Sequence, residues 1–174
     1  MRPPKSGTTA RGRSGTGGDR RPDPALRPRG GEFGAIAALR ALLPAPPPGE
    51  TWIGDDAAVL SPVAGPLLLT TDLAVAGVHA DLDLLGLDDL GWRALAAAVS
   101  DIAAMGGRPH RAVVGVAGPS STDLALLYRG IAACAAEHAC PVVGGDLSAA
   151  EEVVVAVAVT GSVTGAPPPV GRGG

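Results

Sequence analysis

The segment DLDLLGLDDLGWRALAAAVSDIAAMGGRP, residues 81–109, restricts the possible folds more than any other part of the chain. Trp92, Leu95, Val99 and Ile102 recur at helical spacing and form an apolar stripe, while Ala94, Ala97, Ala98 and Asp101 form a neighbouring face of small side chains. Asp88 or Asp89 can cap the start of this helix, Gly106 and Gly107 can end it, and Pro109 prevents its continuation. Such a helix must bury its stripe, and the flanking segments supply strands for it to pack on. Strand patterns are expected at Thr51 to Leu60 and Pro66 to Leu73, separated by the turn signal SPVAGP, and again in HRAVVGVAGP, CPVVGGD and EEVVVAVAVTGSV. A second helix, SSTDLALLYRGIAACAAEH, opens on cap residues and runs to His138. A shorter one, EFGAIAALRALLP, places Phe33, Ile36, Leu39 and Leu43 near one face and stops at Pro44, before the stiff linker PAPPPGE. The fold class that follows is α+β, a mixed sheet with helices crossing between its strands.

Residues 1–30 do not fit that domain. They carry eight Lys or Arg against two Asp, are rich in Pro and Gly, and hold almost no large apolar residue. A segment of this kind buries too little surface to offset its ordering entropy and is expected to be a disordered basic tail. It lacks the apolar core of a signal peptide, and its Pro and Gly content disfavours the amphipathic helix of a transit peptide. The remaining residues, 31–174, hold six basic and 15 acidic residues, a formal charge of −9. That balance argues against nucleic acid as a partner and suits a protein whose carboxylates hold divalent cations. No run approaches the roughly 20 apolar residues of a membrane span, so no membrane association is expected. Cys134 and Cys140 have neither CxxC spacing nor a nearby His pair, and free thiols in a cytoplasmic protein are the expectation.

The acidic residues fall where elements end. Asp55 and Asp56 follow TWI, Asp72 follows LLLTT, and Asp146 follows VVGG, while Asp101 lies within the helix. Asp55 and Asp56 can serve as turn residues, Asp72 and Asp146 as caps of following turns, and Asp101 as the partner of Arg108 or Arg111. Taken together, with few cations nearby, they suggest a shared ion, and hard carboxylate ligands suit Mg²⁺. Mg²⁺ usually retains waters and substrate phosphates, so a nucleotide-phosphate site is the natural expectation. The glycines of VVGGD allow a phosphate or base close to the backbone. The chain has neither a GxxxxGK[ST] loop nor a protein-kinase catalytic loop.

GEF at 31–33, GDDAAVL at 54–60, TTDLAVAGVH at 70–79, GWRALAAAVSDIAAMGGRP at 91–109 and VVGGD at 142–146 resemble, in order and spacing, the thiamine-monophosphate kinase family. That family lies within the aminoimidazole-ribonucleotide synthetase superfamily. The resemblance spans residues 31–174 and implies the superfamily's N-terminal ATP-binding domain, with no counterpart here of its C-terminal domain. It also implies ATP-dependent phosphorylation of thiamine monophosphate to thiamine diphosphate, with ATP as co-substrate and Mg²⁺ as cofactor. By the same resemblance Asp56, Thr70, Thr71, Asp72, Asp101 and Asp146 lie at metal positions. Gly145, Asp146 and Arg172 would contact ATP, and His79 would face the thiamine phosphate. Asp55 would set the turn or hold a metal-bound water. A homodimer formed through paired sheets is a further implication. The alternative is a non-catalytic nucleotide-binding or dimerisation module.

Overall fold

A computed structural model describes residues 31–163. The basic tail and Arg172 lie outside the described residues. In chain order the elements are α1 (Gly31–Leu42), β1 (Leu67–Val75), α2 (Leu87–Ala104), β2 (Arg108–Gly118), α3 (Leu124–Glu137), β3 (Val142–Ala149) and β4 (Val154–Ser162). The four strands form one mixed sheet in the order β1-β4-β2-β3. β4 runs antiparallel to both β1 and β2, and β3 runs parallel to β2 after the crossover through α3. This is the expected α+β architecture of a mixed sheet with crossing helices.

The two long helices form where the caps predict, with one shift of position. Gly86, rather than Asp88 or Asp89, occupies the N-cap of α2. Asp89 sits three residues further on, and its Oδ2 accepts the Gly86 N–H at 3.0 Å. Both aspartates thereby lie in the first turn, where the positive end of the helix dipole favours them. The Gly107 N–H closes the far end on the Ile102 carbonyl at 2.9 Å. Asp123 caps α3 through Oδ1, which accepts from the Leu126 N–H at 2.9 Å.

One sheet face carries the core. Val155, Val157 and Val159 of β4 alternate with outward residues and pair in register with Val116, Val114 and Ala112 of β2, all buried. Leu90, Leu95 and Ile102 of α2 and Leu127 and Ile131 of α3 cover them. The helices approach closely because of two glycines. A side chain at Gly91 would run into the Leu127 carbonyl oxygen, and one at Gly130 into the Asp88 carbonyl oxygen. No space for an indole remains there, which corrects the placement of Trp92 in the core. Trp92 is 37% exposed at the margin of the buried arc, its ring centroid 6.4 Å from that of His138. Phe33, assigned to the apolar face of α1, is likewise exposed, while Leu39 is buried.

The expected strand from Thr51 to Leu60 does not form. A single antiparallel bridge joins Thr51 and Val59, and the residues between bend through Gly54 at φ +120°. That backbone conformation interrupts a strand, and the exposed Asp55 and Asp56 follow it. Pro109 falls inside β2, in the portion that pairs with β4 alone, so its missing N–H breaks no ladder on the β3 side.

Candidate functional site

The alternation of β1 decides which predicted residues meet. Leu68, Thr70, Asp72 and Ala74 point to the helix-covered side, and Leu67, Leu69, Thr71 and Leu73 point away from it. Thr70 Oγ1 donates to Asp101 Oδ2 at 2.9 Å, joining β1 to the middle of α2 across 31 residues of sequence. Asp72 lies two residues further along the same face, and both Asp72 and Asp101 are half-buried. Arg111 does not neutralise Asp101, because it pairs with Glu50 at 3.0 Å. A half-buried carboxylate held by a neutral hydroxyl, with another on the same face, is a set of hard oxygen donors suited to Mg²⁺.

The other predicted ligands are placed elsewhere. Thr71 lies on the opposite sheet face from Thr70. Asp146 is in register with Gly115 on that same far face, and its strand β3 is the opposite edge of the sheet from β1. Three strand spacings separate those edges, about 14 Å. Ser148 Oγ donates to Asp146 Oδ2 at 3.1 Å. Gly145 follows the side of Val114, where a Cβ would run into the Val114 carbonyl oxygen, so strand pairing alone already requires glycine there. Asp56 is exposed, and its N–H donates to Asp55 Oδ1 at 2.9 Å; Asp55 therefore shapes the turn. Among the described residues no three His, Cys, Asp or Glu side chains are grouped closely enough to hold a metal ion.

His79 is exposed in a tight turn after β1. Its Nδ1 accepts the Val75 N–H at 3.0 Å, and its own N–H donates to the Val75 carbonyl at 2.8 Å. With Nδ1 accepting, Nε2 is the ring nitrogen left to donate. Cys134 and Cys140 are both buried and free. Burial, the larger cause in each case, pushes their thiols up to about 11 and about 12, so both are neutral at neutral pH. No helix among the described residues is long and apolar enough to cross a membrane.

Glu50 is the buried carboxylate of this region that sequence reasoning misses, because it reads as the end of a Pro-rich linker. Its carboxylate accepts from Trp52 Nε1 at 2.7 Å, from the Ser61 N–H at 3.2 Å, and from Arg111 Nε and Nη2 at 3.0–3.3 Å. These bonds, that from Trp52 first, hold its pKa down at about 2 against the opposing effect of desolvation. A lowered carboxylate stabilises the fold above its ordinary value of 4.5, and the contribution is lost as pH falls through about 2. Urea unfolding at graded pH is expected to show stability falling more steeply across that window in the wild type than in Glu50→Gln. Equal slopes would discard the assignment.

Residues 54–163 match the family described as AIR synthase related protein, N-terminal domain, and the chain belongs to that family. Within it, thiamine-monophosphate kinase from Synechococcus elongatus is 39% identical over 137 residues, 76% of this chain and 40% of that protein. Thiamine-monophosphate kinase from Stenotrophomonas maltophilia superposes with a TM-score of 0.60 and 30% identity, over 82% of this chain and 43% of the other. AaThiL complexed with AMPPCP and TMP gives a TM-score of 0.54 and 32% identity, over 75% and 41%. The chain spans about two fifths of the length of these relatives.

Proposed function

We propose that residues 31–174 are the Mg²⁺- and ATP-binding half of a cytoplasmic thiamine-monophosphate kinase, which moves the γ-phosphoryl group of ATP onto thiamine monophosphate. The observation that carries this reading is the Thr70–Asp101 contact at 2.9 Å, with Asp72 on the same face and Arg111 paired with Glu50 rather than with Asp101. The similarity to thiamine-monophosphate kinases, and to a relative complexed with AMPPCP and TMP, supports the choice of nucleotide and acceptor. Phosphoryl transfer requires alignment and charge neutralisation more than a covalent side-chain step, and carboxylate-held Mg²⁺ supplies the second. In this chain Asp72 and Asp101 would hold the ion, and Thr70 would keep the Asp101 carboxylate aimed at it. Asp56, Thr71 and Asp146 would serve further Mg²⁺ ions, since Thr71 and Asp146 lie on the opposite sheet face from Asp72. Gly145, Asp146 and Arg172 would contact ATP, and Nε2 of the exposed His79 would donate to the phosphate of thiamine monophosphate.

The sheet face turned away from the helices supports a homodimer. Thr71 and Asp146, separated from Thr70, Asp72 and Asp101 within one chain, both lie on that face. A second copy seated there would bring them into the interface. Titration of a non-hydrolysable ATP analogue into the chain, with Mg²⁺ and with chelator, tests the nucleotide reading. Binding is expected to require Mg²⁺, since carboxylates alone repel a polyphosphate, and to weaken at least about tenfold in Asp101→Asn, a loss of about 1.4 kcal/mol. Metal-independent binding that is indifferent to Asp101→Asn would reject it.

A further inference from the structure

We propose that Glu50 is a positioning residue that clamps the loop from 50 to 61 onto β2 and so fixes the turn presenting Asp55 and Asp56. The inference rests on the preceding reading of Asp56 as a metal-facing residue. Besides the packing of Trp52 and Ile53, the loop is held at its neck. Its neck is closed by two bonds, Thr51 N–H to the Val59 carbonyl at 2.9 Å and Val59 N–H to the Thr51 carbonyl at 2.8 Å. Within the neck Ile53 is half-buried, and residues 54–57 are exposed. Glu50 joins both ends of this loop to the sheet. Oε1 accepts from Ser61 at the far end, Oε2 accepts from the Trp52 indole at the near end, and Arg111 of β2 donates to both oxygens.

The anchor on the sheet side is itself fixed. Arg111 Nη1 donates to the His110 carbonyl at 2.8 Å, Thr160 Oγ1 donates to the Arg111 carbonyl at 3.3 Å, and His110 Nε2 lies 2.7 Å from Ser162 Oγ. The guanidinium also sits 5.3 Å from the centroid of the Trp52 ring, which is buried. Arg111 thus holds the indole and the carboxylate that the indole binds, and the loop neck cannot move without breaking both contacts. The Glu50 side chain is only 4% exposed, so losing its charge leaves the guanidinium without its counter-ion. Glutamine preserves the shape but turns an amide N–H₂ towards one of the donors, so it loosens the clamp without opening a cavity.

The test compares wild type, Glu50→Gln and Trp52→Phe in the full chain. Trp52→Phe removes the 2.7 Å indole bond, keeps an aromatic ring beneath Arg111 and leaves the ion pair intact, so it serves if Glu50→Gln fails to fold. Hydrogen exchange is followed at the cross-bonded amides of Thr51 and Val59 and in β4, and affinity is measured for Mg²⁺ with AMPPCP. The expected result is at least about tenfold faster exchange in the loop, unchanged protection in β4, and affinity weakened about tenfold. Unchanged loop exchange overturns the clamp. Faster loop exchange with unchanged affinity overturns the positioning role. A wild-type chain that binds no nucleotide overturns the reading of the site, while loop exchange still judges the clamp.

Discussion

Replacing Gly130 by valine is expected to destabilise the fold by about 3 kcal/mol, measured by urea unfolding. Gly130 sits on α3 where it meets the start of α2, and a Cβ there would run into the Asp88 carbonyl oxygen. The obstacle is backbone, so no rotamer change relieves it. Relief requires the helices to separate, which would uncover Leu90, Leu95, Leu127 and Ile131, each no more than 1% exposed. Helix propensity acts in the opposite direction, since valine and alanine are both better helix formers than glycine. Gly130→Ala should therefore also destabilise, by less than valine, despite gaining about 1 kcal/mol of propensity. Ala133→Gly, at an exposed position on the same helix, provides the reference for propensity alone. If Gly130→Ala proves stabilising, the close approach of α2 and α3 is wrong.

Local signals made most of the elements legible. Period and caps locate α2 and α3, and apolar runs bounded by turn signals locate β1 to β4, because those signals act over a few residues. TWIGDDAAVL misled because its apolar residues imitate a strand, while the conformation of Gly54 and the Asp55 side-chain bond that create the turn carry no periodicity. Trp92 misled for a different reason. Its position at the edge of a stripe was visible, but the two glycines that close the helix interface had to be seen in space. At the site, alternation alone separates Thr70 from Thr71, and that much could have been read from TTD. The separation of Asp146 from Asp72 could not, because β4, last in sequence, inserts between β1 and β2. Glu50 was illegible for the same reason, since its partner Arg111 lies 61 residues away and nothing local marks either one.

Leu69→Asp is expected to convert the proposed homodimer into a monomer while leaving the chain folded, as read by sedimentation velocity at tens of micromolar and by thermal unfolding at matched concentration. Leu67, Leu69 and Leu73 of β1 and Val113 of β2 are 61%, 72%, 59% and 44% exposed on the face opposite the helices, with Ala156 and Ala158 of β4 between them. Contiguous apolar surface on a sheet is unusual unless something covers it, and a second copy can do so through the same face. An aspartate at 69 would then be buried without a partner, at a cost large enough to prevent association. In the monomer the same position faces water, so the intrinsic stability should change by no more than about 0.5 kcal/mol. Leu84→Asp, at a residue 81% exposed outside the sheet, should leave the dimer intact. A wild-type chain that sediments only as monomer removes the proposal of a homodimer. If dissociation by Leu69→Asp also weakens Mg²⁺-dependent nucleotide binding, the Thr71 and Asp146 face contributes to the site through the second copy. If affinity persists in the monomer, the carboxylates of β1 and α2 hold the metal and nucleotide without it.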